Sequence, residues 1–103
     1  AYSVRDGARR LVYTGDTGPS EALGQWAAGC DLLLAECSLP EAMAIPSHLT
    51  PSQVGALAAT AGARQLVLTH FYPPVETVDL RGEVGALYHG PVVLATDGWH
   101  HTF

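Results

Sequence analysis

Short apolar strands that alternate with helical patterns place the strongest constraint on how this chain can fold. Strands are predicted at residues 10–13, 31–35, 65–69 and 91–95, with helical patterns between them. Strands joined by helices usually pair in parallel, so their carboxyl ends lie along one edge of the sheet, where open α/β folds bind their ligands. The sequence therefore predicts an α/β domain with its functional side chains at these strand ends.

Turn and capping residues define the first elements of the chain. Asp6-Gly7 readily supplies positive φ, which predicts a hairpin between residues 2–4 and 10–13. Ser20 predicts the cap of a short helix that runs to about Ala28. This helix and the strands on either side of it are expected to form one β-α-β unit.

A capping box marks the clearest helix start. Thr50-Pro51-Ser52-Gln53 combines this box with proline at the first helical position, which predicts a helix over residues 51–61. A helix is also expected over Asp79–Tyr88, although two glycines interrupt it, and a short edge strand is expected over Trp99–Phe103. These last two elements rest on weaker signals.

Composition narrows the class of protein. With 103 residues, of which 48% are hydrophobic, the chain is expected to form one domain with a modest core. Ten acidic side chains against five basic ones give a net charge of -5, and there is no lysine. This balance argues against a dedicated nucleic-acid module, which needs a basic face.

Cysteine spacing and hydropathy indicate the compartment. Cys30 and Cys37 have the spacing of neither a redox pair nor a zinc finger, so two free, buried thiols are expected. No apolar run approaches the roughly 18 residues of a membrane span, and no charged-then-apolar leader precedes the first strand. We therefore expect a cytoplasmic protein, although the start at Ala1 looks like a cut from something longer.

Asp16 and His70 follow two of the predicted strands and together favour a metal site. Zinc binds imidazole and carboxylate together, and one carboxylate can bridge two metal ions roughly 3.5–4 Å apart. Taken singly, Asp16 also suits a turn or a helix cap, and His70 suits a hydrogen-bonded structural role. The remaining histidines are expected to be structural or solvated: His89, His100 and His101.

Glu36 and His48 favour acid/base chemistry beside that metal site. Glu36 follows the strand at 31–35, and His48 precedes the helix at 51–61. If Glu36 accepts a hydrogen bond from one ring nitrogen of His48, the other nitrogen can donate a proton to a leaving group. The simpler alternative is that Glu36 is an ordinary surface acid and that His48 has no catalytic role.

Four ordered segments carry a family resemblance. Residues 13–18, 32–37, 48–50 and 66–71 resemble the second half of the metallo-β-lactamase fold superfamily, and the closest branch looks like the ribonuclease Z-like hydrolases. The resemblance covers nearly the whole chain. It implies the carboxyl-terminal half of an αββα four-layer sandwich, and it implies a zinc-dependent hydrolase.

The same resemblance implies roles for four residues. Asp16 would bridge two zinc ions, and His70 would be a ligand of the second zinc. His48 and Glu36 would form the proton-donating pair of the phosphodiesterase-like members. Manganese or iron would accept the same ligands as zinc.

Two departures from the family pattern qualify these roles. The His-x-His-x-Asp-His cluster of the first half is absent, so residues 1–103 are expected to be a second half that is active only with the missing amino-terminal half. The transfer-RNA-processing members carry His-Glu-Ala-Thr and His-Ser-Thr, where this chain has Ala35-Glu36-Cys37-Ser38 and His48-Leu49-Thr50. These departures support a small phosphodiester or another hydrolysable ester as substrate at least as well as transfer RNA, so nucleic acid stays an open alternative that is not favoured.

Two other classes of function compete with the hydrolase. In the first, the chain is a non-catalytic interaction module or an inactive fragment that pairs its exposed sheet with a partner, which includes a homo-oligomer. In the second, Gly15-Asp16 belongs to an aspartyl-phosphate phosphatase. Such enzymes need a second aspartate a few residues later, and residues 17–20 supply none.

Overall fold

Strands and helices alternate along the chain after an initial hairpin. The computed structural model describes residues 1–102. The elements are β1 Tyr2–Asp6, β2 Arg9–Tyr13, α1 Glu21–Trp26, β3 Leu32–Glu36, α2 Pro51–Ala61, β4 Gln65–Thr69, α3 Leu80–Gly85 and β5 Val92–Leu94. Short 3₁₀ helices lie at Glu41–Met43 and Pro73–Thr77.

The five strands form one sheet in the order of the chain, β1-β2-β3-β4-β5. The β1–β2 pair is antiparallel, and the three other pairs are parallel. Each helix therefore connects neighbouring parallel strands, and each connection advances the sheet in the same direction. Because such connections are right-handed, all three helices lie on the same face. The expected α/β architecture is confirmed.

The buried core fills the space between the helices and one face of the sheet. Alternate strand residues point into it, since successive side chains of a strand point to opposite faces. The sheet contributes Val12, Leu33, Ala35, Leu66 and Leu68, and the second and third helices contribute Val54, Leu57, Ala58, Ala61, Leu80 and Val84. The four residues from α2 are spaced three and four apart, so they lie on one face of the helix, which is its buried face.

The opposite face of the sheet, away from α1 to α3, is also apolar. The strand registers place Tyr13, Leu34, Val67 and Val93 side by side in one row across β2 to β5. Tyr13, Leu34 and Val93 are only partly buried, whereas Val67 is fully buried. We call these four residues the open-face row. Such a row is typical of a sheet that packs on a further layer.

The predicted helix caps are present. The Ser20 hydroxyl accepts the Leu23 N–H at 3.1 Å, and in the capping box the Gln53 side chain accepts the Thr50 N–H at 3.0 Å. Gly62 ends α2 in the left-handed region, at φ 59°. In residues 1–102, none of the helices combines the length and the apolarity of a membrane span.

The predicted bounds of several elements differ from the structure; β3, for example, covers Leu32–Glu36 rather than 31–35. Helix α1 ends at Trp26 rather than near Ala28, and α3 covers Leu80–Gly85 rather than Asp79–Tyr88, with Asp79 as its cap. The edge strand predicted at Trp99–Phe103 is wrong for residues 99–102, which form no strand, and Phe103 lies outside the described residues. The chain instead turns at residues 97–98, and Trp99 stacks on the His101 ring. A strand needs a paired neighbour, and apolar pattern alone does not provide one.

Both cysteines are free and buried, as expected. Burial first, and then nearby carboxylates led by that of Glu36, raise the pKa of the Cys37 thiol to about 12. Burial also raises the pKa of Cys30, although the Arg10 guanidinium opposes that change. Since the thiolate is the reactive form, neither side chain is suited to nucleophilic chemistry.

We predict that neither cysteine reacts with a thiol-specific reagent at pH 8 while the protein is folded. Raised pKa values leave little thiolate at that pH, and burial blocks the reagent. Mass spectrometry after timed labelling measures this, and the same protein in denaturant, where both thiols should label, is the control. Rapid labelling of the native protein at Cys37 would contradict the described packing.

Candidate active site

The strand ends bring the predicted acid and imidazole side chains together at one edge of the sheet. Glu36 is the last residue of β3 and pairs with Thr69 of the parallel neighbour β4, and His70 follows at once. Asp16 lies just beyond β2. Its Oδ1 atom is 2.7 Å from His70 Nδ1. This contact joins two of the predicted site residues across the sheet edge.

The backbone turns sharply just after β2 and just after β4. Gly15 adopts φ 61°, and His70 adopts φ 59°, which is the left-handed region that residues other than glycine rarely enter. Such a conformation costs of the order of 1–3 kcal/mol and persists only where surrounding structure enforces it. A strained residue at the end of a strand is often a functional one. For His70, this observation agrees with its position beside Asp16.

Glu36 is the most constrained polar group of the site. Its side chain is 1% exposed, and its two oxygens accept three hydrogen bonds. Oε1 accepts the Thr17 N–H at 2.6 Å. Oε2 accepts the Ser38 hydroxyl and faces His48 Nδ1 at 3.0 Å. A carboxylate surrounded in this way satisfies its charge with donors from three separate segments.

This arrangement determines how His48 is oriented. The carboxylate of Glu36 can only accept, so the hydrogen of the shared bond belongs to His48 Nδ1. The other ring nitrogen, Nε2, then faces the rest of the site. Backbone bonds hold the segment in place, since the Ser38 N–H donates to the Leu49 carbonyl at 3.0 Å and the Leu49 side chain is fully buried. The pairing of Glu36 with His48 is therefore built into the fold.

Tyr72 belongs to the same cluster, although the sequence analysis did not single it out. Its hydroxyl oxygen lies 3.3 Å from His48 Nε2. The centroid of its ring lies 5.3 Å from that of His48 and 5.3 Å from that of His70. A sequence signal was present, because Tyr72 follows the strand-end histidine by two residues and precedes Pro73-Pro74.

The donor set agrees with a metal site, and two groupings are available. One consists of Asp16, Glu36 and His48, whose ligand atoms lie within 4.8 Å of one another. The other is the predicted pair of Asp16 and His70. Glu36 already accepts three hydrogen bonds, whereas the Asp16 and His70 side chains are 58% and 33% exposed and open to a ligand. Carboxylate and imidazole donors suit zinc, and two of them are fewer than the three or four protein ligands that a zinc site uses.

The three other histidines are exposed: His89, His100 and His101. A groove of about 850 Å³ borders His70 on the side of β5. Its charged lining residues are Glu76, Asp79, Arg81 and Asp97. The space beside His70 is therefore large enough for a small substrate and carries more negative than positive side chains.

We predict that Glu36→Gln destabilises the fold by about 1–3 kcal/mol, despite its near-identical shape. A carboxamide has one acceptor oxygen, and its NH₂ group would face a donor where Glu36 now accepts. Urea unfolding followed by circular dichroism measures the change. Glu21→Gln, at an exposed position in α1, is the matched control and should stay within about 0.5 kcal/mol. An equally stable Glu36 variant would show that the three bonds do not act together.

Comparison with known proteins supports this assignment of the fold. A ribonuclease Z of Thermobifida fusca is 37% identical over 103 residues, which covers 93% of this chain and 32% of the relative. An uncharacterized protein of Mycobacterium tuberculosis is 39% identical over 84 residues, which covers 80% of this chain and 31% of the relative. The chain thus spans about a third of the length of these curated relatives.

A solved structure and a family model match the same region. The crystal structure of the metallo-beta-lactamase fold protein YhfI from Bacillus subtilis superimposes with a TM-score of 0.85 at 29% identity, covering 94% of this chain and 41% of that one. Residues 1–71 match the model of the beta-lactamase superfamily domain. The chain therefore belongs to the beta-lactamase superfamily, and its sheet with three helices on one face is part of the metallo-β-lactamase fold.

Proposed function

We propose that this chain supplies the second half of a zinc-dependent hydrolase, of the phosphodiesterase or ribonuclease Z-like type. The observation that carries the proposal is the Glu36–His48 pair, with the His48 ring centroid 5.7 Å from that of His70, which Asp16 contacts. Relatives named ribonuclease Z and a probable metallo-hydrolase support the same class of reaction. In this proposal His48 and Glu36 are catalytic, and Asp16 and His70 bind metal.

Asp16 and His70 would hold the metal ions together with ligands from the missing amino-terminal half. The exposed Asp16 carboxylate has two oxygens and can bridge two zinc ions, while His70 contributes one imidazole nitrogen. Bound zinc would supply Lewis-acid polarisation of the substrate and lower the pKa of an attacking water. Manganese or iron would accept the same donors.

His48 would protonate the departing oxygen of the ester. The proton leaves Nε2 and joins that oxygen as its bond to phosphorus breaks, so that an alcohol rather than an alkoxide departs. Glu36 stabilises the protonated ring through Nδ1 and keeps it from turning. Ser38 and Thr17 hold Glu36 in place during this step, since both donate to its carboxylate.

A small phosphodiester or another small ester is the proposed substrate. The groove beside His70 carries three carboxylates and one arginine, which suits a compact substrate better than a polyanionic strand. The net charge of -5 and the absence of lysine also argue against binding of a polyanionic strand. Transfer-RNA processing, which the name of the Thermobifida fusca relative suggests, is less well supported by these residues.

The open-face row supports the need for a second half. Tyr13, Leu34 and Val93 of this row are partly exposed and present apolar surface on the side of the sheet opposite α1 to α3, where another sheet can pack. We propose that the amino-terminal half of the same fold covers it and adds the metal ligands that this chain lacks. The cytoplasm is the proposed compartment, in keeping with two free cysteines.

The same surface supports the second candidate, a non-catalytic interaction module that pairs its open face with a partner or with a second copy. The zinc content of the complete protein distinguishes the two candidates. A complete protein with both halves should bind about two zinc ions if it is the hydrolase. Native mass spectrometry that finds the two halves assembled without zinc would favour the interaction module.

We predict that Asp16→Ala in the complete protein abolishes hydrolysis and lowers metal content, because both metal ions would lose a shared ligand. Plasma mass spectrometry measures the metal, and a nitrophenyl phosphodiester measures the rate. Asp97→Ala, an exposed acid in the lining of the neighbouring groove, is the control and should keep its metal. Full metal content in the Asp16 variant would refute its assignment as a bridging ligand.

We predict that His48→Ala spares the metal, measured by plasma mass spectrometry, and lowers the rate on a phosphodiester that releases an alkoxide by roughly 100-fold or more. The ring is assigned to proton donation, so its removal should affect catalysis and leave the ligands in place. The exposed His89→Ala is the matched control and should retain full activity. Loss of metal from the His48 variant would mean that His48 is a ligand, as its grouping with Asp16 and Glu36 allows.

A further inference from the structure

Tyr72 occupies a position that the proposed reaction does not yet use. Its hydroxyl lies 3.3 Å from His48 Nε2, which is the nitrogen proposed to give up the proton. The side chain is 37% exposed, so it stands at the open side of the site rather than in the core. Tyr88, by contrast, is buried in the core, where its hydroxyl donates to the Ala63 carbonyl.

The backbone holds Tyr72 in register with the catalytic pair. Its N–H donates to the Ser38 carbonyl at 3.1 Å, and Ser38 is the residue whose hydroxyl binds Glu36. Its own carbonyl accepts the N–H of Val75, which is fully buried, at 3.0 Å. The two prolines that follow restrict the backbone further. Tyr72 and Glu36 therefore contact His48 at opposite ends of the ring, and the Tyr72–Ser38 hydrogen bond joins the two segments that carry them.

We propose that Tyr72 is a positioning residue for His48, and that it acts by hydrogen bonding to Nε2. This inference rests on the proposed function, in which His48 protonates the leaving oxygen. A phenol both donates and accepts, so it can bond Nε2 whether or not that nitrogen carries a proton. Glu36 holds Nδ1 throughout, and Tyr72 holds the other end of the ring until the leaving oxygen takes its place.

Tyr72 neither gains nor loses a proton in this step. The proton passes from His48 Nε2 to the leaving oxygen as the ester bond breaks, and the phenol keeps its own hydrogen. Tyr72 contributes by keeping the ring in the orientation from which that transfer occurs. Its ring also contacts the rings of His48 and His70, so the hydroxyl and the ring have separable effects.

Tyr72→Phe separates these effects, because it retains the ring and removes only the hydroxyl. The experiment uses the complete enzyme with zinc and two phosphodiesters, one that releases an alkoxide and one that releases 4-nitrophenolate. A good leaving group departs without a proton, so only the alkoxide substrate depends on His48. Tyr2→Phe, at an exposed position of β1, is the matched control.

We predict that Tyr72→Phe lowers kcat for the alkoxide substrate by about fivefold to tenfold, which is the loss expected from one hydrogen bond. KM should change by less than about twofold, and the 4-nitrophenolate substrate should lose much less rate than the alkoxide substrate. Zinc content should equal that of the unmodified enzyme. The ¹⁵N resonance of His48 Nε2 should shift in the variant, which reports the lost bond without any turnover.

The outcomes distinguish this inference from the proposed function. His48→Ala should show the same dependence on leaving group, and more strongly. If it does and Tyr72→Phe does not, the inference about Tyr72 is overturned while the hydrolase proposal stands. Equal losses on both substrates, or reduced zinc content, would also overturn it by indicating a structural role. If His48→Ala itself shows no dependence on leaving group, the proton-donor assignment fails and the Tyr72 inference fails with it.

Discussion

The buried carboxylate of Glu36 is the interaction on which the site depends. It accepts hydrogen bonds from the turn after β2, from the residue two positions after β3, and from the loop that leads into α2. A buried carboxylate is costly unless each of its lone pairs finds a donor, and here three segments provide them. The same three contacts bring the chain around Asp16, Ser38 and His48 to one edge of the sheet. Local stability and site geometry thus have a common cause.

The layer arrangement explains why this edge is a site at all. Three parallel connections advance the sheet in one direction, so the helices cover one face and the carboxyl ends of the strands share one edge. On the other face, the open-face row gives the sheet a second apolar side. The edge carries the acid and imidazole side chains, and the face carries apolar surface. In the proposed function, the first would bind metal and the second would pack against the other half of the domain.

Within the cluster, the side chains divide by exposure. Glu36 is enclosed, whereas Asp16, His70 and Tyr72 stand open to solvent. The enclosed group can orient a neighbour and already accepts three hydrogen bonds, while the open groups can meet a ligand or a substrate. The left-handed backbone of His70 places its side chain among these open groups. Exposure therefore favours the division of roles in the proposed function over a metal site built on Glu36.

The sequence by itself determined the features that arise from neighbouring residues. The capping box at Thr50, the hairpin at Asp6-Gly7 and the three strands that end near Asp16, Glu36 and His70 follow from contacts within a few positions, so pattern and propensity predict them. The resemblance of four segments to a known family also named the fold and the four site residues, although their chemical roles stay a prediction.

Only the tertiary structure decided the contacts between distant segments. Tyr72 meets His48, and Thr17 meets Glu36, because parallel register and the turns after each strand bring them together. No local sequence pattern predicts such a contact, since the contact depends on which strands pair and in what register. The predicted edge strand at Trp99–Phe103 was wrong over its described part for the same reason. Its apolar pattern was suitable, but whether a strand forms depends on a partner that only the assembled sheet supplies.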